Sequence, residues 1–401
     1  DITNADVILA NTCSIRDNAE QRIWGRIDQF KIQKRKRDNV IIGIVGCMAE
    51  RLKDKLLEAV DLVAGPDSYR TLPDLLEAIR PDKPQINVLL SHEETYAEIS
   101  PVRMDKNGVS AFISIMRGCN NVCSYCVVPY TRGAERSRDP QTILREAKEL
   151  FDNGYKEITL LGQNVNVFGK DKYGDGTSFP ELLRQVAAIP GLRRIRFVSA
   201  HPRDFSQETI DMFAELPQLM PRLHLPLQSG SDSMLKKMGR GYNMERFLGV
   251  VEGLRKARPD FALSTDLIVG FPGESEEDFL ETYNLLEQVG ASFLHIFPFS
   301  ERPGTPAVEM PNKVPSYISS QRVSKLEELC DELHYDFCVQ SVGSECDVLF
   351  ESTMRGGMMY GYTGNYIRVK APYRRDLINR ISRVKFVSID EQHDVMAEIL
   401  E

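Results

Sequence analysis

The 401-residue chain is marked first by what it lacks. No apolar run approaches the ~20 residues needed to span a bilayer. The opening Asp1-Ile-Thr-Asn-Ala-Asp has none of the charge and apolar pattern of a secretory signal. Membrane and exported classes are thereby set aside, and a cytoplasmic protein is expected. Nor is there a basic excess: the net charge is −8, which argues against a protein that coats nucleic acid through its overall field. Repeats and low-complexity tracts are missing. With 42 % apolar residues the chain can build sizeable cores and has no need of a disulfide scaffold.

Eight cysteines are present, and three of them, Cys119, Cys123 and Cys126, stand as C-x3-C-x2-C in Met116-Arg-Gly-Cys-Asn-Asn-Val-Cys-Ser-Tyr-Cys-Val-Val-Pro-Tyr130. A zinc knuckle would bring a second C-x2-C pair or a His pair nearby, and neither is there. Four thiolates close an iron–sulfur cubane, whereas three hold three irons and leave the fourth open. Such an open iron chelates S-adenosylmethionine (SAM) in radical enzymes that release a 5′-deoxyadenosyl radical. An electron-transfer protein would complete the ligation with a fourth cysteine. It would also have no use for the long α/β pattern that follows.

Apolar runs at Ala5 to Ala10, Val40 to Val45 and Val60 to Ala64 alternate with helical patterns, so residues 1–100 predict a parallel α/β domain. Cys13 and Cys47 follow the first two runs and fall at the carboxyl ends of successive parallel strands, where open α/β sheets place their sites. Two buried structural cysteines is the plainer reading of this pair. Residues 105–335 repeat the strand–helix pattern six times, at Ala111 to Ile115, Glu157 to Leu161, Arg194 to Ser199, Arg222 to Leu227, Phe261 to Val269 and Ser292 to Phe299. A partial parallel (β/α)6 barrel is expected, with its chemistry at the carboxyl ends of the strands. Asp139-Pro140 and Ser275-Glu-Glu-Asp278 read as helix starts. A long helix from Ser316 to Gln340 leads to residues 338–401, where short alternating strands and glycine turns predict a small antiparallel β-barrel.

With these residues in view the chain resembles the radical SAM methylthiotransferases, and among them those acting on isopentenylated adenosine beside the anticodon of tRNA. The resemblance rests on Asn11-Thr-Cys-Ser-Ile-Arg16, Gly46-Cys-Met-Ala-Glu-Arg51, the Arg117 to Gly133 loop, Leu161-Gly-Gln-Asn-Val-Asn166 and Leu225-Pro-Leu-Gln-Ser-Gly-Ser-Asp232. It implies three domains in order, the last a TRAM domain, and two 4Fe–4S clusters. Cys119, Cys123 and Cys126 would hold the cluster that binds SAM. Cys13 and Cys47 would be two of three ligands of an auxiliary cluster, the third being expected upstream of Asp1, along with the family's first strand and helix. One SAM would methylate a sulfur on the auxiliary cluster and a second would supply the radical, because carbon 2 of adenine is an unactivated C–H. Gln163, Asn164, Gln228 and Asp266, with the backbone around Tyr125, are the expected SAM contacts. His201, beside Pro202, reads as a strand-end residue.

The partners implied are the tRNA anticodon stem-loop, an electron donor such as flavodoxin or ferredoxin, and a sulfur donor. Relatives within the family act on threonylcarbamoylated adenosine or on a ribosomal protein. The wording of Val127 to Gly133 and Gln163 to Asn166 favours isopentenylated adenosine. Two basic stretches could hold RNA phosphates: Lys31-Ile-Gln-Lys-Arg-Lys-Arg37, with five basic side chains in seven positions, and Arg355 to Lys385, with eight against the single acid Asp376.

Overall fold

The computed structural model describes every residue except 1, 15, 16, 38, 81, 100, 102–107, 173 and 401. Ile15 and Arg16 of the first motif, and the expected domain boundary near residues 100–105, therefore lie outside the described residues. Two compact units emerge. One holds Asp1–Glu94, Arg117–Arg136 and Ser300–Glu309; the other holds Thr95–Met116, Ser137–Phe299 and Met310–Glu401. Within the described residues no helix is long and apolar enough to cross a membrane.

The first unit is built on a four-stranded parallel sheet in sequential order: β1 (Val7–Thr12), β2 (Ile41–Gly46), β3 (Leu62–Ala64) and β4 (Gln85–Asn87). Its strands are short and rich in Ile and Val. Ile42, Ile44, Val60 and Val63 pack with Ile27 and Phe30 of the helix Asp17–Lys36 in one apolar core. Register places Thr12 beside Gly46, so Cys13 and Cys47 leave adjacent strands at the same level. Gly46 has φ +95°, and a Cβ there would run into the Asn11 side chain and the Thr12 backbone. Only glycine lets the chain turn at once from β2 into the helix Cys47–Leu52.

The second unit holds six parallel strands in two ladders: β5 (Ser110–Ser114), β8 (Glu157–Leu161) and β9 (Arg194–Phe197), then β10 (Arg222–His224), β11 (Ala262–Val269) and β12 (Phe293–Pro298). Between β5 and β8 come two short strands, β6 (Met116–Arg117) and β7 (Arg136–Ser137), on either side of the cysteine loop. Hydrogen bonds from Ile195 to Gln218 and Met220 carry the pairing from β9 toward β10. This is the partial barrel expected, and the strand bounds agree to within three residues. Local signals place the helices. Asp139 accepts from the Gln141 amide at 2.9 Å ahead of Pro140–Asp152, and Ser275 and Asp278 form a reciprocal capping box on Glu276–Val289.

The helix Ser316–Val339 leads into a closed barrel of β13 (Glu345–Arg355), β14 (Met358–Thr363), β15 (Arg368–Pro372), β16 (Ile381–Ile389) and β17 (Val395–Ile399). The pairings are antiparallel except β15 with β17. Sequence patterning found β13, β15 and β16 but neither β14 nor β17. β14 reads Met-Met-Tyr-Gly-Tyr-Thr, with none of the clean alternation that marks a half-buried strand.

Candidate functional site

The cysteine loop belongs to the first unit. Gly118 (φ +76°) lets its two ends pass back to back, since a Cβ there would fall on the carbonyl of Ala134. The Cys119 amide donates to Gly133 O at 3.1 Å. Asn120 and Glu135 exchange three hydrogen bonds of 3.0 to 3.2 Å across the loop. Cys119 and Cys123 are buried and Cys126 is half-buried. The amide of Asn121 donates to Cys119 Sγ, and that of Val128 to Cys126 Sγ, each at 3.4 Å. Burial pushes the Cys119 thiol above its usual range, and the Asn121 amide pulls the other way. Three soft donors, two of them receiving backbone N–H groups, fit the three-thiolate cluster. Among the described residues no three His, Cys, Asp or Glu groups converge on a single metal ion. Convergence is the requirement of one tetrahedral ion at about 2.3 Å from each sulfur. A cubane asks less, because each thiolate takes its own iron.

One buried carboxylate grips the loop at both ends. Asp67, just beyond β3, accepts from Arg117 Nη2 and from Arg136 Nη1, each at 2.9 Å, and its side chain is fully buried. Pro66 O also takes Arg117 Nη2, at 2.8 Å. Partnering a buried carboxylate with two guanidinium groups offsets its desolvation, and removing it would strand both cations. Arg132, at the end of the helix Val128–Arg132, donates from Nε to Cys47 Sγ at 3.0 Å. Cys47 is buried and Cys13 is exposed. Arg51 holds the Cys13 segment through Ser14 Oγ at 2.6 Å and pairs with Glu20, which also takes Arg302 at 3.2 Å. Cys47 and Cys13 thus stand at one sheet edge, with a guanidinium donor on the Cys47 sulfur. Sequence reasoning named the five cysteines and missed Asp67, Arg132 and Arg51. Asp67 and Arg132 act across 50 to 85 positions of sequence, for which spacing has no signal.

In the second unit the polar residues gather at the carboxyl ends of β8 and β9. Asn164 is fully buried and donates from Nδ2 to Asp204 at 2.8 Å, while its Oδ1 and Gln163 Oε1 find no partner. Asn166 Oδ1 accepts the His201 amide at 2.7 Å, leaving its Nδ2 unpartnered. His201 Nδ1 accepts from the Arg203 amide at 3.2 Å, so the ring proton sits on Nε2, also unpartnered. Burial, then Arg240, pulls His201 down to about 3, and the ring stays neutral. Four orphaned buried polar atoms at one rim are what a polar ligand such as SAM would satisfy. Gln228 adopts φ +76° and uses its backbone on β11, accepting from Ile268 and donating to Asp266 O. Asp266 itself lies in mid-strand rather than at the strand end, and its carboxylate meets His224 Nε2 at 3.2 Å. Tyr125 is half-buried and belongs to the first unit.

The opposite, amino ends of the barrel strands are ionic. Glu157 on β8 pairs with Arg196 at 2.9 Å, and burial lowers Arg194 to about 10 and Arg222 below its usual range. These arginines hold the terminal barrel. Arg194 donates to Tyr362 O and Asp347 O, and Arg196 to Gly364 O and Thr363 O, at 2.8 to 3.0 Å. Arg222 lies 4.0 Å over the Tyr366 ring. A cleft of about 1150 Å³ opens beside this seam, lined by Arg193, Arg258 and Arg383 among others. Gln163, Asn164 and His201 are not among its lining residues.

Comparison with known proteins gives the same outline. Residues 113–286 match the radical SAM superfamily, and residues 1–65 match the uncharacterized protein family UPF0004. The radical SAM methyltransferase TsrM of Kitasatospora setae, solved with cobalamin and a [4Fe-4S] cluster, aligns with a TM-score of 0.57 over 75 % of this chain and 65 % of that one; at 16 % identity this speaks to the fold alone. The tRNA-2-methylthio-N(6)-dimethylallyladenosine synthase of Phocaeicola vulgatus is 47 % identical over 359 residues, 88 % of this chain and 78 % of its own length. That of Nitratidesulfovibrio vulgaris is 42 % identical over 98 % of this chain and 90 % of its own. At that identity and coverage the chain belongs to the tRNA-2-methylthio-N(6)-dimethylallyladenosine synthases, a family of radical SAM enzymes.

Proposed function

We propose that Cys119, Cys123 and Cys126 hold a 4Fe–4S cluster whose open iron takes SAM, and that Cys13 and Cys47 are two ligands of an auxiliary cluster. The enzyme methylthiolates carbon 2 of isopentenylated adenosine next to the anticodon of tRNA. The observation that carries the site reading is the loop of three thiols with backbone amides aimed at two of the sulfurs. When bound, cluster and SAM together supply the 5′-deoxyadenosyl radical that an unactivated C–H requires.

The protein's own groups bind and orient. Asp67 fixes the ends of the cysteine loop through Arg117 and Arg136. Gln163 and Asn164 offer acceptors and Asn166 and neutral His201 offer donors, a set suited to the polar edges of SAM. Gln228 and Asp266 complete the expected contacts, and Tyr125 presents its backbone to the adenine.

The terminal barrel, read as a TRAM domain, would take RNA phosphates. Of its basic residues, Arg368, Lys370, Arg374 and Arg383 are engaged with acids. Arg355, Arg375, Arg380 and Lys385 are exposed and form no ion pair among the described residues. An anticodon loop suits such a surface because its bases can be splayed into a pocket. A flavodoxin or ferredoxin as electron donor, a separate sulfur donor and a cytoplasmic setting complete the reading.

Anaerobic reconstitution followed by mass spectrometry of isopentenylated tRNA tests it. A methylthio mark that depends on SAM and on the three loop cysteines is expected. Marking that survives their joint replacement by Ala would overturn the site.

A further inference from the structure

The hydrogen bond between the cysteine loop and the sheet edge carries a step further. Arg132 ends the short helix that starts two residues after Cys126, and its Nε reaches Cys47 Sγ across 85 positions of sequence. Its place is fixed on both sides. The Arg132 carbonyl accepts from Arg136 Nη2 at 2.9 Å, and Arg136 is locked on buried Asp67. Gly133 turns the chain away at φ +71°. Both Arg132 and Cys47 belong to the first unit. On a backbone fixed in this way the guanidinium acts as a directed donor to Cys47, which a lysine ammonium reproduces as charge but not as geometry.

We propose that Arg132 is a positioning residue for Cys47, orienting that sulfur as a ligand and raising the reduction potential of the cluster it helps to hold. The proposal rests on the reading of Cys13 and Cys47 as auxiliary-cluster ligands. Hydrogen bonds and positive charge at a ligand sulfur stabilise the reduced, more negative cluster, and such outer partners tune iron–sulfur potentials and ligand geometry. The same side chain links the cysteine loop to the second thiol site.

The test uses the full-length enzyme with Cys119, Cys123 and Cys126 replaced by Ala, so that remaining iron reports the second site. After anaerobic reconstitution, iron and sulfide per chain are measured. An EPR-monitored reductive titration then gives the midpoint. Arg132→Gln is expected to lower the midpoint, with Arg132→Lys falling between it and the parent. An unchanged midpoint at unchanged iron content overturns the proposal. If the Gln variant loses iron while its melting temperature holds, loss of iron in the Lys variant as well supports the positioning role, and full retention of iron by Lys overturns it, since charge without the guanidinium geometry would then suffice. A parent that takes up no iron with Arg132 in place overturns the auxiliary-cluster reading itself, and the proposal with it.

Discussion

The two units of this protein spend their buried charge differently. In the first, buried ion pairs and one guanidinium–sulfur hydrogen bond surround the cysteines: Asp67 clamps the cysteine loop, Arg132 donates to Cys47, and Glu20 ties Arg51 to Arg302. All five cysteines assigned to clusters lie there. In the second, beside the buried pairs Arg138–Glu146 and Arg322–Glu274, one group of charges lies at the amino ends of the barrel strands, where Glu157, Arg194, Arg196 and Arg222 fasten the terminal barrel. The rim meant for ligand keeps unpartnered amides and a neutral histidine beside Asp204, which accepts from Asn164. Burying a charge costs several kcal/mol unless it is paired. Each unit therefore pairs the charge it buries, and the second leaves unpartnered polar atoms at the rim where a ligand is to be accepted.

The sharpest way to break the comparison is to remove the sulfur. Joint replacement of Cys119, Cys123 and Cys126 by Ala is expected to abolish 5′-deoxyadenosine formation and to lower bound iron, while hydrogen exchange across residues 157–299 stays as in the parent. Loss of protection there as well would mean that the second unit depends on the loop for its fold.

Asp67→Ala comes next. Stranding Arg117 and Arg136 removes one partner of a buried ion pair, worth about 3 to 5 kcal/mol. Faster exchange is expected in residues 117–136 with little change in the terminal barrel. Equal loosening of both units would contradict separate clamping.

The units should also answer pH with opposite signs. Glu50 in the first unit is raised from 4.5 to about 7, chiefly by burial. The folded unit keeps a proton that the unfolded chain gives up, so this stability is full below pH 4.5 and is lost as pH rises through 7. His201 in the second is lowered from 6.5 to about 3, and its contribution is full above pH 6.5 and lost as pH falls through 3. Each slope is at most about 1.4 kcal/mol per pH unit. Denaturant melts of Glu50→Gln and His201→Asn between pH 4.5 and 7 should flatten these trends in opposite senses. Changes of the same sign in both variants would refute the assignment.

The smallest effect is expected at the RNA surface. Arg375 and Arg380 are exposed and form no ion pair among the described residues, whereas Arg374 is engaged with Asp376. Replacing Arg375 and Arg380 by Ala should weaken tRNA binding a few-fold and flatten its salt slope by about 0.7 to 0.9 for each phosphate no longer neutralised. Arg374→Ala alone should do less. An unchanged slope in the double variant would shift attention to Lys31, Arg35 and Lys36, since Lys34 and Arg37 pair with Asp61 and Asp6.

Local spacing and patterning determined much of this protein without a structure. Three cysteines within eight positions, six strand–helix repeats, the Asp139 and Ser275 helix starts and the placement of Cys13 and Cys47 after their strands are all short-range signals. Physics over a few residues suffices to read them. β14 and β17 escaped because burial alternates along them while the polarity of their residues does not: Gly361 and Thr363 take buried positions and Met358 and Met396 less buried ones. Asp266 lies mid-strand in β11 as it does in the expected run Phe261 to Val269. What only the tertiary structure decided is which partner each buried charge finds. Asp67 meets Arg136 across 69 positions, Arg132 meets Cys47 across 85, and Arg196 meets Gly364 across 168. A charge enters the interior only when the folded chain brings its counterpart to hydrogen-bonding distance, and no stretch of sequence records where that counterpart will be.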